Sequence, residues 1–388
     1  MGQTLIGYVP SDSYRSIVAA QSPSLIPILS AYPHGQTNVN SQVAQYVSEG
    51  NQIDHEDSGM IRLDQILSQK TTVYLRFNCD SAISAVPLGS SGLYLTDQQQ
   101  LNSRPMNGVV DLTRTFSTNW LNDAKFGYNH STAYTTNIPA LITPYAVSVP
   151  GFTKLNTDQY KIATGTTSSY IDNATWVHER HTLKFGGEVR QVQLNQGNTA
   201  SGTVTYSSLA NFTLNKVSSA TYAAELPVNN LRKTQFFASI QDEWKATPAL
   251  TVNLGLRYQF FKVFHELNGL AVPFDFNTCG PQGFCAAGAS FGRVNPYDFD
   301  PRVGIAWSPA TWGGNTVIRA GFGIYYADGQ LDDQNLPIAN QVARYSLSSK
   351  QTPGLTFPID PSLATTPGIV SPREMDRLRP DQYVCPVP

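Results

Sequence analysis

Hydrophobic and polar residues alternate along ten short segments of the chain, and these segments occur in five pairs. The alternation is clearest over residues 250–260, where apolar side chains fall at every second position. This period is typical of a β-strand with one apolar and one polar face. Each pair predicts two strands joined by a short turn. The predicted pairs are 60–67 with 72–78, 109–116 with 121–129, 170–177 with 183–192, 235–245 with 250–260, and 302–308 with 317–326.

Long polar segments separate these hairpins, so short and long connections alternate along the chain. Loops longer than about 15 residues are uncommon in soluble domains. Bacterial outer-membrane barrels, in contrast, have short turns at one end and long loops at the other. At about 3.3 Å per residue and a tilt near 45°, ten residues cover about 23 Å, close to the ~25 Å apolar band of such barrels. The long segments are 80–106, 130–168, 193–233, 262–300 and 327–388.

The pattern therefore predicts an all-β fold, an antiparallel up-and-down transmembrane β-barrel segment with about ten strands and long extracellular loops. Three regions follow from it. Residues 1–55 are a loop-rich N-terminal segment, residues 56–327 are a partial barrel, and residues 328–388 are a long loop with a truncated C-terminal segment.

The tryptophans all lie at the short-turn end of the predicted hairpins. Amphipathic rings are typical of the membrane–water interface, where they form a girdle around a barrel. The alternative is that bulky aromatic side chains cap the edge of a sheet or one end of a core. The predicted girdle consists of Trp120, Trp176, Trp244, Trp307 and Trp312.

The charges divide unequally between the two faces when the more apolar face of each strand is taken as the outside. Three charged residues, Arg114, Asp172 and Asp242, fall on the apolar face. This division indicates two-sided strands only, because a soluble sandwich buries its apolar face in a similar pattern. The polar face carries Arg62, Asp64, Arg76, Asp111, Asp123, Lys125, Lys184, Glu188, Arg190, Glu243, Lys245, Arg257, Arg302 and Arg319. The candidates for ligand contact from the barrel lumen are Arg62, Arg76, Lys184, Glu188, Arg190, Arg257, Arg302 and Arg319.

Composition fits an all-β chain with one apolar and one polar face, and it excludes several other classes. Charged residues make up 14% of the chain, against about 25% in an average soluble domain. A net charge of −2 does not point to nucleic acid as a partner. No run approaches the ~20 apolar residues of a membrane helix, and residues 1–10 do not have the pattern of a secretory signal.

No motif for catalysis, a cofactor or a metal emerges from the sequence. His178 and His181 are three positions apart in a predicted turn, whereas the zinc-protease motif requires two His four apart on a helix. Gly321 and Gly323 lie within a predicted strand, not at the strand-to-helix turn that binds phosphate. We therefore expect no enzymatic activity, no metal and no cofactor.

Cys279 and Cys285 are the only two of the four cysteines that are close in sequence. They either form a disulfide that holds an exposed loop in an oxidising compartment or remain two unpaired thiols. Zinc is disfavoured because no CxxC or histidine partner accompanies them.

Several sequence segments resemble those of TonB-dependent outer-membrane receptors. The resemblance is closest to the Oar-like type, which has a carboxypeptidase-regulatory-like domain ahead of the plug. The segment 181–187 is similar to the "HTLKFGG" strand of these receptors. The resemblance covers roughly residues 55–330. The other similar strings are 56–60, 121–128, 240–245, 250–258 and 300–309.

The resemblance implies a 22-stranded barrel with a plugged lumen in the outer membrane. It also implies energised uptake of a bulky ligand, with outer-membrane lipid around the wall and the TonB complex touching the plug. We find no plug, TonB box or closing strand with a terminal aromatic in the sequence, and therefore expect an internal fragment or a broken reading frame. The alternatives are a self-contained porin-like or adhesin-like barrel, or a soluble β-sandwich such as a carbohydrate-binding module.

Overall fold

A computed structural model of the protein describes residues 2–87, 98–139, 141, 143–279, 283–292, 294–309, 311, 316–328 and 337–364. The helices are α1 (Asp12–Gln21), α2 (Ile26–Ala31) and α3 (Leu209–Thr213), with 3-10 turns at Pro23–Leu25 and Pro361–Leu363. The strands are β1 (Gly2–Pro10), β2 (Thr37–Asn38), β3 (Val43–Asn51), β4 (Ile53–Ser68), β5 (Thr71–Pro87), β6 (Gln98–Ser117), β7 (Trp120–Ile138), β8 (Tyr145–Ser148), β9 (Tyr160–His178), β10 (His181–Asn198), β11 (Ser201–Thr205), β12 (Ser219–Ala223), β13 (Leu226–Thr247), β14 (Leu250–Phe261), β15 (His265–Glu266), β16 (Asp298–Trp307), β17 (Ile318–Gly323) and β18 (Arg344–Ser348).

Ten of these strands form the main sheet, and they are the ten that the alternation predicts. Their order is β4-β5-β6-β7-β9-β10-β13-β14-β16-β17, and the short β15 pairs with β13. Every pair of neighbours along this path is antiparallel. The predicted antiparallel up-and-down arrangement is therefore confirmed.

Most of the strands are longer than predicted because they continue into segments that the sequence assigns to loops, whereas β17 has only six residues within the predicted 317–326. β13 has 22 residues, whereas the alternation predicts only 235–245. At about 3.3 Å per residue, 22 residues extend about 70 Å, far more than an apolar band of ~25 Å requires. The predicted loop bounds at 80–106, 130–168 and 193–233 are wrong in this respect.

Two-residue turns join the strands at one end of the sheet. They lie between β4 and β5, β6 and β7, β9 and β10, and β13 and β14. The opposite end carries the long connections, so the predicted alternation of short and long connections is confirmed at these hairpins.

The N-terminal segment predicted to be loop-rich is instead folded at the long-loop end, so that prediction is wrong. β1 pairs with β3, and α1 begins after Ser11, whose side chain accepts a hydrogen bond from the backbone N–H of Tyr14. β18, β12, β11 and β8 form a second sheet in that order. We call this whole region, α1–α2 and β1–β3 with β8, β11, α3, β12 and β18, the long-loop unit.

Side chains that are far apart in sequence form the core of the long-loop unit. Buried residues of α1, including Tyr14 and Val18, belong to the same cluster as Val147, Phe212 and Phe357. The hydroxyl group of Tyr14 lies 2.8 Å from the carbonyl oxygen of Leu209 and 2.7 Å from the Thr213 hydroxyl oxygen. The helix is therefore stabilised by tertiary packing rather than by local pattern alone.

The chain after β17 returns over the polar face of the main sheet. The side chain of Asp328 accepts a hydrogen bond from Gln235 Nε2 at 2.6 Å and pairs with Lys233 of β13. Ile338 joins a small buried cluster with Leu194 and Leu231. Part of the predicted long loop from residue 328 is thus ordered, whereas residues 365–388 lie outside the described residues.

The main sheet is not closed in the part of the chain that the structure describes. There, β4 pairs only with β5 and β17 only with β16. None of the helices described is long and apolar enough to cross a membrane.

Candidate functional site: the two faces of the main sheet

The strand register produces one continuous apolar face across the ten strands. In one row, Leu63, Leu75 and Val110 lie side by side on β4, β5 and β6. Further along the strand order, on the same face, the register neighbours on β13, β14 and β16 are Ile240, Leu256 and Pro301. These side chains are exposed rather than packed against a second sheet, as 60% exposure of Leu63 and 42% of Leu256 illustrate. A two-layered sandwich therefore does not describe this chain.

Four of the five predicted girdle tryptophans lie on this apolar face, next to the short turns. Trp120 and Trp176 are register partners with ring centroids 6.3 Å apart. Trp244 and Trp307 occupy the same end of β13 and β16. Trp312 lies outside the described residues.

A second tier of aromatic rings lies on the same face, eight positions from Trp120, Trp244 and Trp307. Tyr128 follows Trp120 by eight positions, and Phe299 precedes Trp307 by eight. Phe299 packs on Tyr258 with a centroid distance of 4.9 Å. Eight residues at about 3.3 Å and a tilt near 40° give a height of about 20 Å, similar to the apolar band of an outer-membrane barrel.

The apolar face becomes polar beyond the second aromatic tier. Thr132 and Thr164 are register partners there, and Gln191 and Gln193 occupy equivalent positions on β10. The apolar band is therefore bounded at both ends, which the sequence analysis missed because the predicted strands stopped short of the polar extensions.

The three charged residues on the apolar face all have partners. Asn122 Nδ2 lies 2.6 Å from Asp172 Oδ1, and His181 Nδ1 lies 2.7 Å from Asp242 Oδ2. The guanidinium of Arg114 lies 5.1 Å from the ring centroid of Phe116. A charge on a lipid-facing surface costs about 2–4 kcal/mol at mid-depth and about 0–1 near the interface, and such pairing lowers that cost.

All eight predicted ligand-contact candidates lie on the opposite, polar face, although they do not form one compact site. Arg62 and Arg76 are register partners at one side of the sheet. Further along the strand order, one row on this face crosses β10, β13, β14 and β16 and consists of Lys184, Gln241, Gly255 and Arg302. The remaining candidates on this face are Glu188, Arg190, Arg257 and Arg319.

Ion pairs hold part of the polar face together. Lys125 Nζ lies 3.0 Å from Asp111 Oδ2 and 3.1 Å from Asp123 Oδ2. The side chain of Asp111 is only 4% exposed, so its charge depends on this partner. The neighbouring Arg62 pairs with Asp64 at 2.7 Å.

Aromatic rings contact several of the candidate arginines. The guanidinium carbons of Arg190 and Arg257 lie 5.0 and 4.9 Å from the ring centroid of Phe237. That of Arg302 lies 4.6 Å from the ring of Tyr325. Sequence reasoning did not identify Phe237, because an apolar residue on a polar face is a deviation from the alternation and carries no signal alone.

Cys279 and Cys285 form a disulfide in the long connection between β14 and β16. Three phenylalanine rings of the same connection pack together, with the ring centroid of Phe274 4.5 Å from that of Phe276 and 5.2 Å from that of Phe284. No group of three or more potential metal ligands occurs among the described residues.

The fold and these two faces define an outer-membrane β-barrel protein. Residues 10–384 match the family described as "Outer membrane beta barrel domain", and the chain belongs to that family. The apolar band is accordingly the surface that faces hydrocarbon in the outer membrane, and the polar face lines the lumen.

Comparison with solved structures gives similar folds at low sequence identity. The chain is similar to the outer membrane transporter YddB from Escherichia coli, with 12% identity, a TM-score of 0.48, and coverage of 79% of this chain and 35% of that one. For the copper transporter OprC the values are 12%, 0.46, 74% and 39%. For P. aeruginosa FpvA bound to a heterologous pyoverdine they are 11%, 0.48, 74% and 38%. The chain spans less than two fifths of the length of each, and no curated protein matches its sequence.

Proposed function

We propose that this chain is part of the wall of a TonB-dependent outer-membrane transporter of the Oar-like type. In its complete form, the transporter takes up a bulky ligand with energy delivered through the TonB complex. The observation that supports this best is a single-layered sheet with a bounded apolar band and two edge strands, β4 and β17, without outer neighbours among the described residues. Unpaired edges are costly in lipid, so a larger barrel is needed to satisfy them.

The ligand contacts are expected on the polar face and in the long-loop unit. Lumen-facing cations such as Arg76 and Arg257 provide polar contacts along the wall, and the long-loop unit covers the end of the barrel that is distant from the short turns. The strings 181–187 and 250–258 support the TonB-dependent assignment by their resemblance to that family.

The membrane assignment is tested by purifying the chain with and without detergent. We expect folded, β-rich protein only in detergent or lipid, because the exposed apolar band must be covered. A monodisperse monomer in the absence of detergent would contradict the proposal.

The transporter assignment is tested by sequencing the transcript that carries this chain. An upstream stretch that encodes a plug in the same reading frame is the expected result. A frame that carries only this chain would favour a self-contained porin-like barrel instead.

A further inference from the structure

Four arginines follow a diagonal across one side of the lumen wall. Arg319 lies on β17, Arg302 on β16, Arg257 on β14 and Arg190 on β10. Arg302 is in register with Gly323, four residues beyond Arg319, and with Gly255, two residues before Arg257. At about 3.3 Å per residue, these steps rise about 13 Å and about 7 Å along the strand direction. We call these four residues the arginine track.

Two members of the track have no acidic partner within 4 Å among the described residues, namely Arg257 and Arg319. The Nε atom of Arg257 is enclosed and has no hydrogen-bond partner there. The other two have acidic neighbours: Arg190 Nη2 lies 2.7 Å from Glu188 Oε1 and Arg302 Nη2 lies 3.6 Å from Asp300 Oδ2. Asp300 is also the register partner of Arg257, although no ion pair within 4 Å joins them. The track therefore has four guanidinium groups beside two carboxylates, Glu188 and Asp300.

The surface of the sheet beside the arginine track leaves room for a ligand to come close to the backbone. Gly255, Gly304 and Gly321 lie on the same face, beside the arginines. An added Cβ at these positions meets no atom closer than 3.4 Å. Glycine inside a strand often marks a place where a ligand or another backbone comes near. Phe237 contacts the guanidinium groups of both Arg190 and Arg257, which restricts the orientation of these two side chains.

We infer that the arginine track binds an oxyanion group, carboxylate or phosphate, of a ligand inside the lumen. This inference rests on the proposed function, since it requires the polar face to line a lumen. The planar guanidinium presents paired N–H donors that match the two oxygens of such a group. Arg257 is the central contact because it is unpaired and lies midway along the track, and Arg319 offers the second unpaired cation at the short-turn end.

The test is a titration of the full chain, folded in zwitterionic detergent, with pyrophosphate in one arm and citrate in the other. We expect saturable heat of binding in at least one arm, and the arm that binds identifies the source of the oxyanion. Arg257→Gln is expected to weaken it about 10- to 100-fold, because a charge-assisted hydrogen bond is lost. Arg257→Lys keeps the charge and should retain part of the affinity. Arg104→Gln, which removes an exposed cation from the other face of the sheet, is the matched control and should leave binding unchanged.

Two results would overturn the inference while leaving the proposed function intact. One is a detergent-dependent, β-rich chain that binds neither anion. The other is equal weakening by Arg257→Gln and Arg104→Gln, which would indicate general charge attraction. A chain that is a soluble monomer without detergent would overturn the proposed function and this inference together.

Discussion

At the scale of single residues, the free-energy cost of a charged side chain depends on which face of the sheet carries it. Lys125 on the lumen side has two carboxylate partners, and Asp172 on the lipid side has the amide of Asn122. Apolar residues at neighbouring positions, such as Leu256, have hydrocarbon as their surroundings. The same substitution at two consecutive positions of a strand is therefore expected to change the free energy of unfolding by different amounts.

Leu256→Lys tests the lipid-facing side directly. Leu256 lies two residues from the second aromatic tier, between mid-depth and the interface. An ammonium group there is expected to lower the free energy of unfolding by about 1–3 kcal/mol. The measurement is urea-induced unfolding of the chain in lipid vesicles. Asn253→Lys, on the polar face of the same strand, is the control and should change stability by less than about 0.5 kcal/mol. Equal effects of the two substitutions would show that the faces are not distinguished by lipid.

Lys125→Met tests the ion pairs on the polar face. The methionine keeps most of the volume but leaves the buried carboxylate of Asp111 without its cation, for an expected loss of about 2–3 kcal/mol. The same unfolding experiment applies. Lys184→Met is the control, because Lys184 has no ion-pair partner within the described ranges, and a loss of the same size there would contradict the account.

At the scale of elements, the sequence predicts the membrane-embedded parts of the strands well and their extensions poorly. Between the aromatic tiers, Leu254 and Leu256 alternate with Gly255 and Arg257, which gives a clear period of two. Beyond the second tier the lipid-side positions of β10, Gln191 and Gln193, are polar, whereas Val192 and Leu194 on the other face pack in a small apolar cluster. The apolar face no longer continues the lipid-facing one there, so the extensions do not carry the pattern of the membrane-embedded part although the backbone pairing continues.

The long-loop unit was missed for a different reason, which is the long sequence separation of its contacts. Tyr14 of α1 contacts Leu209 and Thr213, almost two hundred positions away. No local pattern records such packing. The lumen candidates could be identified from alternation and charge alone, but their aromatic neighbours Phe237 and Tyr325 required the strand register and the returning segment.

The long-loop unit is expected to lose stability at alkaline pH. The hydroxyl oxygens of Tyr145 and Tyr345 are 2.6 Å apart and buried. Burial raises the pKa of Tyr145, and burial together with the hydrogen bond to Tyr145 raises the pKa of Tyr345. A raised pKa in the folded state means that this contribution to stability is complete below the unfolded value near 10. It is lost as the pH rises from about 10 through the folded values.

Tyrosinate absorbance and far-ultraviolet circular dichroism, followed together during an alkaline titration, measure this effect. Tyr345→Phe removes one ionisable group and should move the transition to higher pH. Tyr8→Phe, at an exposed position, should leave it where it is. A transition unaffected by Tyr345→Phe would show that the buried pair does not control the unit.

At the scale of the whole molecule, the chain consists of part of a barrel wall and the long-loop unit. Four two-residue turns and the tryptophan tier define one end, and the long-loop unit defines the other. Between the aromatic tiers, the strands are long enough to span the bilayer about once, and the rest of each long strand projects beyond the bilayer. The edges at β4 and β17 are where further strands must pair if the sheet is to close in lipid.

The central claim is that hydrocarbon covers the apolar face, and spin-label accessibility along β14 tests it most directly. Single cysteines at positions 253 to 258, introduced with Cys79 and Cys385 replaced by Ser, carry a nitroxide in the chain folded into lipid vesicles. Collision with oxygen should be high at Leu254, Leu256 and Tyr258, and collision with a water-soluble nickel chelate should be high at Asn253, Gly255 and Arg257. Equal oxygen accessibility at odd and even positions, or apolar positions protected from both reagents, would contradict the account.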